Sequence, residues 1–291
     1  MKLLAKLNLI LIVVFALALV PAAMVSRTLL NRNAEAQVIQ NARIMMETAM
    51  AMRGYTVTQV KPLLAEQMEQ TFLPQSVPAY SATEIFNTLR ETNPEYTYKE
   101  ATLNPTNPRN RAVDWETDLV NEFRRDKSRT EIVGHRDTPL GPALYLSHPI
   151  KISNEACLAC HTTPEMAPPA MLAAYPSGGG FGWEMDEIIG AQVVQVPMST
   201  PIKLADNAFR TLLLTLVGVF LFILVALNIL LHLVVIRPVR RLSEMADRVS
   251  HGDMDVEDVS AKGSDEVAAL TGSFNRMRIS LVTALKMLEN D

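Results

Sequence analysis

The sequence predicts an α+β protein in which two membrane-spanning helices flank an external domain of mixed helix and strand, followed by a helical tail. Three observations lead there. Residues 7–26 and 211–236 contain no Asp, Glu, Lys or Arg. The residues between them, 27–210, carry short period-two apolar runs separated by turn-forming residues. Beyond Arg237, apolar positions step by three and four.

A bilayer core about 30 Å thick needs about 20 helical residues, so both uncharged stretches can span it. Hydrophobic residues make up 48% of the chain, rich for a soluble protein. The first stretch has a rival reading as a cleaved signal peptide, although Ala22 and Ala23 offer only a weak cut site. Lys2 and Lys6 before the first span, and Arg237, Arg240 and Arg241 after the second, put both ends in the cytoplasm by the positive-inside rule. Arg27 and Arg32 weigh against that orientation without reversing it. The expected layout is a cytoplasmic start at 1–6, a span at 7–26, a periplasmic domain at 27–210, a span at 211–236 and a cytoplasmic module at 237–291. This describes a two-pass protein of the inner membrane in contact with lipid. A net charge of −4 gives no electrostatic footprint for nucleic acid.

Within the external domain, residues 26–52 read as a helix leaving the membrane, with Val38, Ala42, Met45, Ala49 and Met52 on one stripe that Gly54 and Pro62 then interrupt. In "YSATEIF" a second helix is expected to start, with Ser81 as N-cap, Glu84 closing a capping box, and Tyr80 and Ile85 forming a hydrophobic staple. Strands are expected over 96–103, 130–135, 143–150 and 187–196, a helix over 114–125, and a turn at "RDTPLGP". Helices leading into a small sheet that one helix crosses suggest a mixed module of the PAS-like kind.

"SNEACLACHTT" at 153–163 holds both cysteines of the chain, three residues apart and followed by His161. Structural zinc wants four ligands, commonly in two pairs, and only one pair is present. A redox dithiol leaves the histidine unexplained. Covalent haem uses all three residues. Cys157 and Cys160 form thioethers to the two vinyl groups, and His161 is the axial iron ligand. Haem c and its iron are therefore the expected cofactors, with attachment outside the cytoplasm. For the sixth position the candidates are Met45, Met46, Met50, Met52 and His148, or a vacant site. Core packing is the ordinary role of each methionine, and His135, His232 and His251 are weaker candidates. The "GGG" at 178–180 reads as a mobile loop.

In the tail, Val239, Leu242, Ala246 and Val249 form one stripe, and Val267, Leu270, Phe274, Met277, Leu281, Ala284 and Leu288 form another. Such stripes ask for partner helices. With Pro238, Gly252, Asp265 and Glu266, and "FNRM", this tail resembles a HAMP domain. That resemblance implies a parallel four-helix bundle of two chains, hence a homodimer. The external segment, through "NARIMMETAMAMRGYT", "SHPIKISNEACLACH" and "FGWEMDEIIGAQVVQVPM", is similar to a bacterial family of PAS-like c-type haem sensor domains. The resemblance implies for some relatives a cysteine opposite the histidine, whereas the thioethers expected here consume both cysteines.

The expected function is a membrane-bound c-type haem sensor of redox state or a diatomic gas. It signals through its HAMP module to a separate cytoplasmic protein such as a histidine kinase, since the chain ends three residues after Leu288. No nucleophile-and-base set or phosphate loop stands out, so it is not expected to be an enzyme. A membrane-anchored c-type cytochrome carrying electrons is the alternative, and an organic-ligand chemosensor with a structural haem is a second.

Overall fold

Long unbroken runs of Leu, Ala, Ile and Met favour one continuous helix at the start of the chain, and α1 (Leu3–Tyr55) runs through Pro21 and Gly54 without a break. The computed structural model describes residues 3–68, 70–175, 178–253, 256–257 and 265–289. After α1 come a π-helical turn (Thr56–Val60), α2 (Lys61–Met68), α3 (Pro78–Thr92), β1 (Thr97–Thr102) and α4 (Asp114–Arg125). Next are β2 (Ile132–Thr138), β3 (Gly141–Lys151), α5 (Glu155–His161), α6 (Pro169–Ala174) and β4 (Ile188–Pro197). The chain closes with α7 (Ser199–Leu231), a second π turn (His232–Ile236), α8 (Arg237–Ser250) and α9 (Glu266–Glu289). Two compact units result, Val25–Phe209 and a second made of Met1–Met24 with Arg210–Asp291. The mixed α+β class expected from the sequence is the class found.

In the first unit an antiparallel sheet of order β1-β4-β3-β2 is covered on both faces. One face buries Leu144, Leu146, Val194 and Val196 against Val38, Ala42, Met46 and Ala49 of α1 and Phe86 of α3. The other buries Ala191 and Val193 against Leu119, Val120 and Phe123 of α4. β4, with helices on both sides, is apolar along nearly its whole length. The α1 stripe differs from expectation at two positions: Met46 is fully buried while Met45 packs at the edge of the cluster, and Met52 lies outside the cluster and only partly buried. α4 has the expected ends. Its N-terminus carries Asp114 and Glu116, its last turn Arg124 and Arg125, and the Glu116 carboxylate accepts from the Val113 N–H at 2.9 Å.

Two local expectations are corrected. α3 begins a turn before Ser81, because Pro78 with its fixed φ and missing N–H starts the helix. Ser81 instead donates to the Gln75 carbonyl at 3.0 Å, Glu84 pairs with Arg109 at 2.5 Å, and Tyr80 lies under the Arg109 guanidinium. Gly54 and Pro62 do not stop the helix either. The π turn between them absorbs one extra residue, with the Thr56 hydroxyl buried on the Met52 carbonyl.

In the second unit, α1 and α7 belong to two helices long and apolar enough to cross a membrane. Leu17, Leu214 and Phe222 are each more than seven-tenths exposed, as lipid-facing side chains would be. Phe15 stacks on Phe220, and Asn8 and Asn228 exchange side-chain hydrogen bonds of 3.0 and 2.8 Å. In the tail, Leu242, Met245 and Val249 of α8 gather with Val256, and Phe274 of α9 packs against them. Met245, not Ala246, is the fully buried position of that stripe. α8 ends at Gly252 with φ +93, a left-handed stop that glycine adopts freely. The Leu288 side chain lies outside the described residues.

Candidate functional site

α5 is short, and its two ends are held by contacts distant in sequence. β3 finishes with an irregularity at Ile150 and Lys151. Ile152 then exchanges backbone hydrogen bonds with Glu187 and Asp186, both 2.9 Å, tying the start of α5 to the entry of β4. The Asn154 side chain caps the helix by accepting from the Ala156 N–H at 2.9 Å. Residues 155–161, which fall just past the third expected strand and read from the sequence as the opening of a loop, are therefore helical. Spacings of three and four bring Cys157, Cys160 and His161 to one side of α5.

The C-terminal carbonyls of α5 are closed by residues 180–183. Gly182 N–H donates to Thr162 O at 2.9 Å and Trp183 N–H to His161 O at 3.2 Å. The "GGG" segment, expected to be mobile, is the partner of His161. The Gly180 carbonyl lies 2.7 Å from His161 Nδ1, and a carbonyl only accepts, so Nδ1 carries the proton. In the neutral ring this leaves the Nε2 lone pair available, the arrangement a metal-ligating imidazole requires. Burial pushes the imidazole below its usual value, against a smaller opposing pull from the Gly180 hydrogen bond, which favours the neutral form. Trp183 stacks on the imidazole at 3.9 Å between centroids and fixes its plane. Gly180 itself sits at φ +84 against Thr106, where a Cβ would collide with the threonine hydroxyl. Its N–H donates to Asn104 Oδ1 at 3.2 Å, and Asn104 Nδ2 donates to the Phe181 carbonyl.

Cys157, Cys160 and His161 line one cavity of about 380 Å³, the size range of small-molecule and cofactor sites. α1, the π turn and α2 contribute Arg53, Val57 and Lys61, β1 contributes Glu100, and Met171 and Tyr175 come from the α6 region. Both thiols are free. Burial raises the Cys160 thiol, with the Lys61 ammonium pulling the other way. Two thiols and an imidazole with a free Nε2, all lining one half-open and largely apolar space, fit a flat, largely apolar cofactor held by thioethers and one axial nitrogen. Among the described residues, no group of three or more His, Cys, Asp or Glu side chains converges as a metal-ion site.

The expected sixth-ligand candidates do not reach this cavity. Met46 is in the core, Met45 packs beside it, and Met50 Sδ accepts from Gln192 at 3.3 Å. Met52 and His148 do not line the cavity either, and His148 lies 3.5 Å from the Glu131 carboxylate. For Met45 and Met46 the cause is rotational: they lie on the side of α1 that packs on the sheet. His135 sits 3.3 Å from Glu35, and His251 is exposed beside Asp247. Sequence reasoning missed Asn104, Gly180 and Trp183 as supports of His161, and Arg53 with Glu100 as cavity wall. The three consecutive glycines ending near a tryptophan were the available signal for the first group.

Residues 31–197 match a family described as Tll0287-like, and residues 230–283 match the HAMP domain. Among solved structures the chain is similar to the cyanobacterial heme-protein Tll0287, known from a crystal structure. The two share 17% identity, with a TM-score of 0.43, over 55% of this chain and 94% of that one. No curated protein matches it.

Proposed function

The chain belongs to the Tll0287-like family and also carries a HAMP domain, and from that premise we propose that it is a membrane sensor whose external domain binds c-type haem. Cys157 and Cys160 form the thioethers, and His161 Nε2 is the axial ligand. The observation that carries this reading is the His161 environment: a ring with its Nδ1 proton committed to Gly180 and its plane set by Trp183, beside two free thiols on one cavity.

When bound, the haem supplies an iron whose oxidation state or diatomic ligand is the variable sensed. This chain's residues hold it, keep the imidazole neutral and exclude water from one side. The haem domain faces the periplasm from the inner membrane, and the HAMP helices of two chains form the bundle that relays the signal to a cytoplasmic partner such as a histidine kinase. A family pairing of this kind points to signalling and not catalysis. The HAMP domain also argues against the electron-carrier alternative, since electron transfer needs no signalling bundle.

The test is a haem stain on denaturing gels of membranes from cells with haem-maturation machinery. Wild type is expected to stain, and Cys157→Ala with Cys160→Ala together to lose all stain. His161→Ala should keep the stain but change the reduced spectrum more than any change at Met45, Met46, Met50, Met52 or His148. Unstained wild type, or an unchanged His161→Ala spectrum, defeats the proposal.

A further inference from the structure

Arg53 and Glu100 are 47 residues apart in sequence and form the most deeply buried ion pair on the cavity wall. Arg53 Nη1 lies 2.5 and 2.6 Å from the two carboxylate oxygens, with side chains 25% and 5% exposed. The Tyr98 hydroxyl donates to Glu100 Oε1 at 2.8 Å, and Gln192 Nε2 donates to the Tyr98 oxygen at 3.3 Å. Burial and the Glu100 charge push the Tyr98 hydroxyl far above its usual value, so it remains a donor.

A buried ion pair is a poor source of stability, because desolvation offsets most of the attraction. Its position gives it another use. Arg53 and Glu100 both line the cavity that Cys157, Cys160 and His161 line. The other paired cations of that wall are wetter: Arg109 with Glu84 is about one-third to two-fifths exposed, and Lys151 with Asp186 is half exposed or more. Lys61 is exposed as well. Water screens these charges more than the Arg53–Glu100 pair, whose carboxylate is 5% exposed, so a charge left unopposed in that pair acts at greater effective strength.

Resting on the haem reading, we infer that Arg53 and Glu100 are the residues that set the haem's midpoint potential, acting in opposition as a nearly neutral pair. Reduction removes one positive charge from the iron. An unopposed cation nearby favours the reduced form, and an unopposed anion favours the oxidised form. Met50, which accepts from Gln192, and Arg53 both belong to α1, so the network joins the haem's surroundings to that helix.

The experiment is a potentiometric titration of the full-length haem-loaded protein at pH 8, followed by its absorption. Glu100→Gln is expected to raise the midpoint and Arg53→Gln to lower it, each by about 59 mV or more, a tenfold change in the reduced-to-oxidised ratio at fixed poise. The double variant is expected to return toward wild type. The charge-keeping Glu100→Asp and Arg53→Lys are expected to stay near wild type, and they decide the matter if a glutamine variant fails to accumulate. Shifts of the same sign, no shifts, or large shifts in the charge-keeping variants overturn the inference. Each of these outcomes is read on protein that carries haem, whereas a wild type without covalent haem defeats the earlier reading instead.

Discussion

The sheet domain and the tail bury their apolar residues in different ways. In the sheet domain Phe123, Leu144, Leu146 and Val194 reach zero exposure using side chains of the same chain. In the tail, Leu242, Met245 and Val249 find partners, but Leu270, Met277 and Leu281 remain 51%, 58% and 43% exposed. A stripe of that kind is stable only when a second surface covers it. The first region is complete in one chain, and the second has the pattern of half an assembly.

The comparison can be broken most sharply at Phe123. Phe123→Ala is expected to cost about 3–5 kcal/mol, read as a lower denaturant midpoint for the sheet domain, with no effect on tail crosslinking. Phe274→Glu should do the reverse. It sets a carboxylate among Leu242, Met245 and Val249, so crosslinking through a cysteine placed at Leu281 should fall severalfold while the haem-domain spectrum stays unchanged. If Leu281 never crosslinks in the wild-type background, the tail is not a parallel bundle of two chains. Gly180→Ala tests the site within the complete region. Strain at φ +84 and the collision with Thr106 predict a loss of about 1–3 kcal/mol in thermal unfolding, and a disturbed His161. Asn228→Leu removes the amide exchange with Asn8 and should cost about 0.6–2 kcal/mol, seen as weaker disulfide trapping between cysteines placed at Ala5 and Leu231. The smallest effect concerns acid. The Arg43 hydrogen bond, and then His148, hold the Glu131 carboxyl below its ordinary 4.5. That contribution is present above pH 4.5 and is lost as pH falls through the lowered value. Glu131→Gln should therefore flatten the acid side of the stability curve slightly.

Much of this architecture was legible where the signal is local. α4 was readable to the residue because acids mark its first turn and arginines its last. The strands were readable from β-branched runs, and a Pro-Leu turn closes the β2–β3 hairpin near "RDTPLGP". Ser81 misled because a proline three residues earlier is a stronger start than a serine cap. α5 is hidden in the sequence because its helix covers only seven residues, too few to show periodicity. In the site, the motif itself was legible because its three members are contiguous. Its supports were not: Gly180, Asn104 and Glu100 meet their partners only through the fold, 19, 76 and 47 residues apart in sequence. Met45 and Met46 resemble ligands in the sequence because a stripe does not show which side of α1 faces the sheet.

The two π turns, Thr56–Val60 beside the cavity wall and His232–Ile236 just before Pro238, have a further consequence. Each accommodates one residue more than an α-helical turn, and each residue of an α-helix advances it by about 100°. Closing either turn to α geometry would rotate the helix beyond it by roughly that angle while its backbone hydrogen bonds persist. Each turn thus holds about a quarter-turn of phase, and a cysteine scan across residues 237–250 would register closure of the second as the reactive face stepping round by one position.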